Sequence, residues 1–442
     1  MAHKNDKTFE ITRRKGTTYI RVPLALAVSV VVVLSLLSLL LWSAKWKRDP
    51  ATLTVRDPGD LQVMLPSMAG VTQGELDPGN RVEVLQNGDG FFPRLFADIG
   101  AARENVHIET FIWRDGELAR RLAALLGQKA REGVEVRLLV DAFGGRQVRK
   151  VEERLRESGV VVAKFHPIRL SNLGRLNNRD HRKLMIIDGR IGYVAGHGIG
   201  DEWMGNAGNK AQYRDTALRI EGPAVRRLQG AFSENWIEER GEILAGETYF
   251  PADIPAAGAS TVHVAYASPT GSSSTVQILY YLAIVSARRE VIIQNPYLLP
   301  DRDALRAIED ARSRGVEILI MVPSVSATDN ALVQHASHHR FGHLLARGVR
   351  IWEYDKTLLH QKVMVVDGAW ASVGSTNFDD RSFEINDEIS VGVLDSEVAG
   401  QLRAAFFDDL RFARERRLDE WRRRSLWHKL KDGLAYLAHD QL

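Results

Sequence analysis

The chain has 442 residues, of which 45% are hydrophobic, enough for two or three domains with sizeable cores. Its formal net charge is +3 and it has no cysteine, which excludes disulfides, thiolate metal sites and a cysteine nucleophile. The charge is uneven: residues 1–22 carry six Lys/Arg against two acids and residues 411–442 nine against five, a pattern suited to an anionic surface, membrane or nucleic acid.

Residues 22–44 run without a charge, long enough to cross a hydrocarbon core of ~30 Å as a helix. A cleavable signal peptide would have a shorter apolar core and a small-x-small site, and here Trp42 stands where a small residue is wanted. The expectation is an uncleaved anchor over 23–44 behind a basic flank, 1–22, with Trp42 and Trp46 at the interface. Lys/Arg are more frequent before the run than after it, which points the N-terminus inward and the large domain outward.

Residues 45–80 hold Pro and Gly breaks and read as a linker. A first domain, 81–245, then alternates: a strand at 82–85, a helix at 91–99, a strand at 106–113, a helix at 118–132 stopped by Gly133, and a strand at 134–140. Residues 246–274 read as a second, loose linker. A second domain, 275–410, repeats the order with a strand at 291–297, a helix at 303–314 ended by Gly315 and a strand at 316–322. Gly133-Val134-Glu135-Val136 and Gly315-Val316-Glu317-Ile318 are nearly the same words. The fold class is therefore α/β, two similar domains related by an internal repeat. Residues 411–442 read as a basic amphipathic helix, with Trp427, Leu430, Leu434 and Leu437 on one face. That face suits either packing on the body or an anionic membrane.

The chemistry sits at two matching places in the repeat. His181, Lys183 and Asp188 follow the pattern H-x-K-x-x-x-x-D, and so do His360, Lys362 and Asp367. In extended backbone a lysine two residues from a histidine points to the same side, so each pair offers an imidazole and an ammonium together. Two such pairs around one phosphodiester supply a nucleophile, a proton donor and positive charge on the non-bridging oxygens, without a metal. Asp188 and Asp367 have the opposite parity and each precedes a glycine, which reads as a turn or ion-pair role. Ser375 and Asn377, in a Gly-led turn, are candidate phosphate donors, and Glu388 is a candidate partner for the outer nitrogen of His360. His335, His338, His339 and His343 share a helical face but have no carboxylate nearby in sequence, so a metal site is not expected there. Glu109 and Asp141, at strand ends, are set aside as capping or packing residues.

These residues resemble the phospholipase D superfamily, whose signature is the doubled histidine–lysine–aspartate motif. The second copy, from Gly374-Ser375-Thr376-Asn377 through Arg381 to Asn386-Asp387-Glu388, is similar to the bacterial cardiolipin synthase branch, as are Asn295-Pro296-Tyr297 and Arg214-Asp215-Thr216. The resemblance covers about residues 80–442 and implies two α/β domains with the active site at their interface. It implies a covalent phosphohistidine, with His181 as nucleophile and His360 as acid and then base, and places Asp188 and Asp367 in the catalytic motif. Lys183, Lys362, Ser375 and Asn377 would hold the phosphate, while Asp215 and Glu388 orient the histidines. The implied reaction joins two phosphatidylglycerol molecules into cardiolipin with release of glycerol, at a bacterial inner membrane, with no cofactor and no nucleic-acid partner. Water as acceptor would make the protein a lipid hydrolase, and a nuclease is a further reading within the superfamily. One departure stands out. The family usually has Gly-Gly-x-Asn after Asp188, but this chain reads Ala195-Gly196-His197-Gly198, with Gly198 in place of the asparagine and His197 as a neighbouring donor.

Overall fold

The computed structural model describes residues 52–437, except 57, 170–171, 173–174, 176 and 269–273, and also residues 11–14, 17–20 and 24–45. The chain divides into two compact units, Met1–Thr52 and Leu53–Leu442. In the first unit β1 (Ile11–Arg14) pairs antiparallel with β2 (Thr17–Ile20), and α1 runs Leu24–Lys45. Side chains of α1 are described only at 25–36 and 38, and Trp42 and Trp46 lie outside them. Among the described residues no helix is long and apolar enough to cross a membrane.

The second unit opens with α2 (Leu61–Val71), β3 (Leu76–Gln86), α3 (Asn87–Ala101), β4 (Asn105–Thr110) and α4 (Glu117–Arg131). It continues with β5 (Glu135–Asp141), α5 (Arg149–Glu157), β6 (Val161–Phe165), β7 (Leu184–Ile187), β8 (Ile191–Ala195), β9 (Thr216–Glu221) and α6 (Val225–Arg240). The order then repeats with β10 (Ser260–Ala267), α7 (Thr275–Ser286), β11 (Glu290–Gln294), α8 (Arg302–Ser313), β12 (Glu317–Pro323), α9 (Ala331–Ala346) and β13 (Arg350–Tyr354). After these come β14 (Val363–Val366), β15 (Trp370–Gly374), α10 (Asp380–Glu384), β16 (Glu388–Leu394) and α11 (Ser396–Asp409). The chain ends in β17 (Ala413–Arg416), α12 (Leu418–Arg422) and α13 (Leu426–Tyr436).

All strands of this unit join one 15-stranded sheet, ordered β17-β13-β12-β11-β14-β15-β16-β10-β3-β9-β8-β7-β4-β5-β6. Read outward from the β10–β3 contact, the two sides carry the same sequence of strands apart from the edge strand β17, which has no counterpart beyond β6, so the repeat is a pseudo-twofold. In each half three strands run parallel (β4, β5, β6 and β11, β12, β13), and β7 or β14 closes antiparallel on the first of them. The glycines that stop α4 and α8 are required there: Gly133 and Gly315 have φ of 94° and 88°, conformations that L side chains rarely adopt.

Alternation along the strands builds the cores. On β7, Leu184 and Ile186 enter a central cluster that also takes Val363 and Val365 of β14, while Met185 and Ile187 face the first half's own core. Met364 and Val366 in turn face the core of the second half. The middle of the molecule is thus shared apolar packing between the halves, and residues 53–442 are one compact unit.

Three stretches differ from the sequence expectation. Residues 45–80 are not all linker: Leu61, Met64, Leu65 and Met68 of α2 pack with Val276, Leu279 and Ala283 of α7, and β3 already begins at Leu76. Residues 246–274 contain β10, which pairs with β16 on one side and β3 on the other and so joins the halves. Residues 411–442 are not a single helix, because β17 first pairs with β13 and α12 precedes α13. Proline and glycine misled here: Pro66 lies inside α2, and Pro78 and Gly79 lie inside β3.

Candidate active site

The histidines stand at the entrance to β7 and β14, held by backbone from the opposite half. His181 N–H donates to the Asp387 carbonyl at 2.9 Å, and Asp387 N–H donates to the Arg179 carbonyl at 2.9 Å. On the other side His360 N–H donates to the Arg214 carbonyl at 2.8 Å, and Arg214 N–H to the Leu358 carbonyl at 2.9 Å. Each is a short parallel bridge, Asp180 with Asp387 and Arg214 with Leu359.

These bridges place each histidine beside the residue after its partner. His181 Nδ1 lies 2.8 Å from Glu388 Oε1, and His360 Nδ1 lies 2.8 Å from Asp215 Oδ2. The pairing is crossed: each half supplies the carboxylate for the other half's imidazole. Glu388 therefore holds His181 and not His360, as the sequence had suggested. The reason is that β16 starts at Glu388 directly after the Asp387 bridge to the first half. With Nδ1 engaged, Nε2 is the nitrogen turned to the site on each ring, and on His360 Lys362 Nζ stands 3.1 Å from both ring nitrogens.

Both lysines fold back in the same way. Lys183 Nζ donates to the His181 carbonyl at 2.7 Å and Lys362 Nζ to the His360 carbonyl at 2.5 Å. The imidazole side chains are only 10% and 8% exposed, so the site is nearly closed to water. Ser375, expected among the phosphate donors, gives its hydroxyl to Glu388. Asn377 lies in the same turn with its side-chain oxygen buried and unpartnered among the described residues.

Asp188 and Asp367 are elsewhere. The Asp188 carboxylate accepts from the N–H groups of Arg103, Glu104 and Asn105, at 2.8–3.2 Å, and Asp367 from those of Arg288, Arg289 and Glu290, at 2.7–2.9 Å. Each follows β7 or β14, at the end remote from its histidine, and ties down the start of the neighbouring β4 or β11. They do not touch the reacting groups, which corrects their placement in a catalytic set.

A protein-family model described as "Cardiolipin synthase, PLD-like domain" matches residues 95–236 and 281–410. A cardiolipin synthase of Staphylococcus aureus is 37% identical over 366 residues, 82% of this chain and 74% of that protein. The major cardiolipin synthase of Bacillus subtilis is 36% identical over 363 residues, 81% of this chain and 74% of that one. The chain belongs to the cardiolipin synthase family. It is an enzyme of the phospholipase D superfamily. A solved structure of phosphatidylserine synthase from Haemophilus influenzae shares the fold, with TM-score 0.63 and 12% identity over 85% of this chain and 99% of that one.

Against the cardiolipin synthase pattern, Gly198 has a structural explanation. A Cβ there would lie 2.9 Å from Trp203 Cη2 and 3.0 Å from Ile112 Cβ, so the Trp203 indole fills the space beside it. Trp203 Nε1 donates to Asp215 Oδ2 at 2.9 Å, and its ring meets the His360 ring edge-on at 5.4 Å. His197 does not act as the substitute donor. It packs against Phe91 at 4.6 Å and Phe92 at 5.8 Å, and burial pushes its pKa down to about 4. Trp203 was missed in the sequence because nothing local links it to Asp215; the loss of side-chain volume at 198 was the one signal.

Charges around the two histidines are unequal. Burial, then Lys183 and Lys362, push the His181 pKa well below its ordinary value, and burial raises Glu388 to about 7 against the pull of Lys183. Burial and Lys362 lower His360 too, while Asp215 opposes them. Burial works against ionising Asp215, yet His197, His360 and the His360 hydrogen bond together hold its carboxyl below the usual range. Burial, with Lys362 nearby, brings Lys183 down to about 7, and burial brings Lys362 to about 8.

The four-histidine face of α9 also differs from expectation, because carboxylates do reach it. Asp432 of α13 lies 2.8 Å from His335 Nδ1 and 3.7 Å from His338 Nδ1, and Glu353 lies 2.5 Å from His338 Nε2. Arg424 donates to Asp432 and Arg416 to Glu353, so these acids belong to an ion-pair network that fastens α13 to the body.

Asp188→Ala and Asp367→Ala each leave three backbone N–H groups without their acceptor, and each should cost about 1.5–3 kcal/mol of stability. Urea titration checks the loss. Turnover per folded molecule should stay near that of the parent, and a drop as deep as that of a histidine variant would return these residues to the catalytic set.

Proposed function

We propose that the protein is a membrane-anchored phosphatidyltransferase that makes cardiolipin from two phosphatidylglycerol molecules and releases glycerol. The observation that carries this reading is the crossed arrangement of two imidazole–carboxylate pairs with two lysines in a water-poor site, in a chain of the cardiolipin synthase family. His181 Nε2 attacks phosphorus, and the bond from phosphorus to the departing glycerol oxygen breaks. His360 gives its Nε2 proton to that oxygen. The headgroup hydroxyl of a second phosphatidylglycerol then loses its proton to His360 and attacks the phosphatidyl-His181, freeing the imidazole. Lys183 and Lys362 neutralise the non-bridging oxygens, and Asn377 adds a polar group from the same turn.

The unequal electrostatics support this division of labour. A nucleophile must be unprotonated, and His181 is the more strongly depressed imidazole. A general acid must hold a proton; burial and Lys362 lower His360 too, but its ionised partner Asp215 opposes them and leaves it the less depressed of the two imidazoles. Low exposure of both rings favours an alcohol acceptor over water. The anchor rests on the uncharged run 22–44, which is long enough to span a hydrocarbon core of ~30 Å. The Lys/Arg bias supports a catalytic unit on the periplasmic side of the inner membrane.

Detergent-solubilised protein given radiolabelled phosphatidylglycerol should yield cardiolipin with stoichiometric glycerol. Phosphatidic acid alone would make the enzyme a hydrolase, and unchanged lipid would sink both readings. His181→Asn and His360→Asn should each lose turnover by at least about 10³-fold. Labelled phosphatidyl should be trapped on the His360→Asn protein and absent from His181→Asn; the reverse pattern exchanges the two roles.

The crossed pairs make a second expectation. Glu388→Gln should slow chiefly formation of the covalent species, whereas Asp215→Asn should slow both its formation, through proton delivery to the leaving glycerol, and its resolution, each by roughly 10²-fold or more. Single-turnover quench experiments separate the two steps, and identical behaviour of both variants would contradict the crossed assignment.

For pH, the free site sets kcat/KM. The lysines fall to about 7 and about 8 before substrate binds, so kcat/KM should decline as pH rises through that range and phosphate attraction is lost. A bound phosphodiester favours the charged ammoniums, so kcat should hold to higher pH. The acid limb should lie below the ordinary histidine range, because His181 resists protonation. A kcat/KM profile flat through the lysine range would contradict the account.

A further inference from the structure

In the C-terminal helix α13 the usual sidedness of an amphipathic helix is inverted. Its contact with the body is narrow and largely polar. Asp432, 1% exposed, takes hydrogen bonds from His335 and Arg424, and Tyr436 stacks on His339 at 4.3 Å. Ala435 is the one small apolar side chain of the helix that joins Leu299, Val333 and Ala336.

The opposite side carries the large apolar groups. Leu426, Trp427, Leu430, Leu434 and Leu437 are 83%, 62%, 51%, 59% and 80% exposed. At ~100° per residue they share an arc of roughly 100°, opposite the arc of Asp432, Ala435 and Tyr436. An 11-residue helix is marginal on its own, so the ion-pair network is what keeps it folded with its apolar stripe facing outward.

Charge identifies what fits the stripe. Lys429 and Lys431 flank it on either side, Lys431 lies 5.5 Å from the Trp427 ring centre, and Arg422 at the end of α12 and Arg423 after it are exposed. Lysines bordering a Leu/Trp stripe match a bilayer surface, where stems reach toward the acyl boundary and ammoniums remain among anionic headgroups.

The helix also has a structural link to the active site. Tyr297 packs on the same cluster as Ala435, and its hydroxyl donates to Asp329 at 2.9 Å. It sits three residues beyond Gln294, which pairs with Val363 directly after Lys362.

We infer that α13 docks the catalytic unit on an anionic phospholipid surface through Leu426, Trp427, Leu430, Leu434 and Leu437, with Lys429 and Lys431 at the headgroups. The inference deepens the phospholipid reading of the site, but it can be tested without turnover. It concerns a second membrane contact, separate from the N-terminal helix.

The chain has no cysteine, so one can be introduced and labelled cleanly. Full-length Leu430→Cys, carrying an environment-sensitive fluorophore, is reconstituted in phosphatidylcholine vesicles with or without phosphatidylglycerol. With phosphatidylglycerol the probe should shift to the blue and be quenched by nitroxide lipids, and it should do so far less in phosphatidylcholine alone. A probe at Ser313→Cys, the exposed last residue of α8, should remain quenched by iodide in both. An iodide-accessible Leu430 probe in phosphatidylglycerol vesicles overturns the inference. So does equal insertion in both lipids. Protection from both iodide and nitroxide would mean that protein covers the stripe, which also overturns it.

A functional arm is independent of the probe. Leu430→Glu with Leu434→Glu should lower turnover on phosphatidylglycerol vesicles about tenfold or more. Turnover on dispersed short-chain phosphatidylglycerol should stay near the parent's. Equal loss on both substrates, or no loss on vesicles, counts against docking. Absence of cardiolipin formation by the parent would instead fault the proposed reaction and leave the quenching result to decide docking.

Discussion

Everything chemical in this molecule depends on the exchange of carboxylates between its halves. Glu388 belongs to the second half and orients His181 of the first; Asp215 belongs to the first and orients His360 of the second. Neither histidine has its orienting partner within its own repeat. Two backbone bridges, each with carbonyls and amides from both halves, fix the geometry to the level of single hydrogen bonds. The shared core of Leu184, Ile186, Val363 and Val365 keeps those bridges in register. A half on its own would bury an imidazole without its carboxylate, so fold and site are cooperative.

This exchange also explains why the sequence was informative about some parts and silent about others. The α/β repeat was legible because strand periodicity, Gly133 and Gly315 recur at nearly the same spacing to His181 and His360, 48 and 45 residues. The histidines and lysines were legible because the doubled pattern has few other causes. Partner choice was not: Glu388 and His360 lie in one continuous motif, and only the bridge through Asp387 shows that the motif is divided between two sites of action. Asp188 and Asp367 travel with the signature, yet they cap backbone at the far ends of β7 and β14. Motif membership records what the fold needs as well as what the chemistry needs.

Linkers and tail were the least legible parts, for a related reason. β10 lies in a segment with loop-like flanks, and its place is set by β16 and β3, both distant in sequence. The tail showed an apolar stripe, and periodicity alone cannot say which side of a helix a body takes. The answer came from Asp432, a polar residue off the stripe, which is the one gripped by His335 and Arg424.

A nearly symmetric frame still has to perform an asymmetric reaction, and the hydrogen-bond partners of the two carboxylates supply the difference. Asp215 accepts from the Trp203 indole, a group that can only donate, and from the Thr216 backbone N–H at 2.9 Å. Those donors suit an ionised carboxylate, which opposes the lowering of His360 by burial and Lys362. Glu388 instead meets the Ser375 hydroxyl, which can donate or accept as the proton on Glu388 comes and goes. Burial raises Glu388 to about 7, so its pair with His181 is poised to be neutral, as the proposed nucleophile requires. On this view Gly198 is not a sign of decay in the first half. Glycine at 198 leaves room for Trp203, and Trp203 helps to keep the Asp215 partner of His360, the proposed acid, ionised.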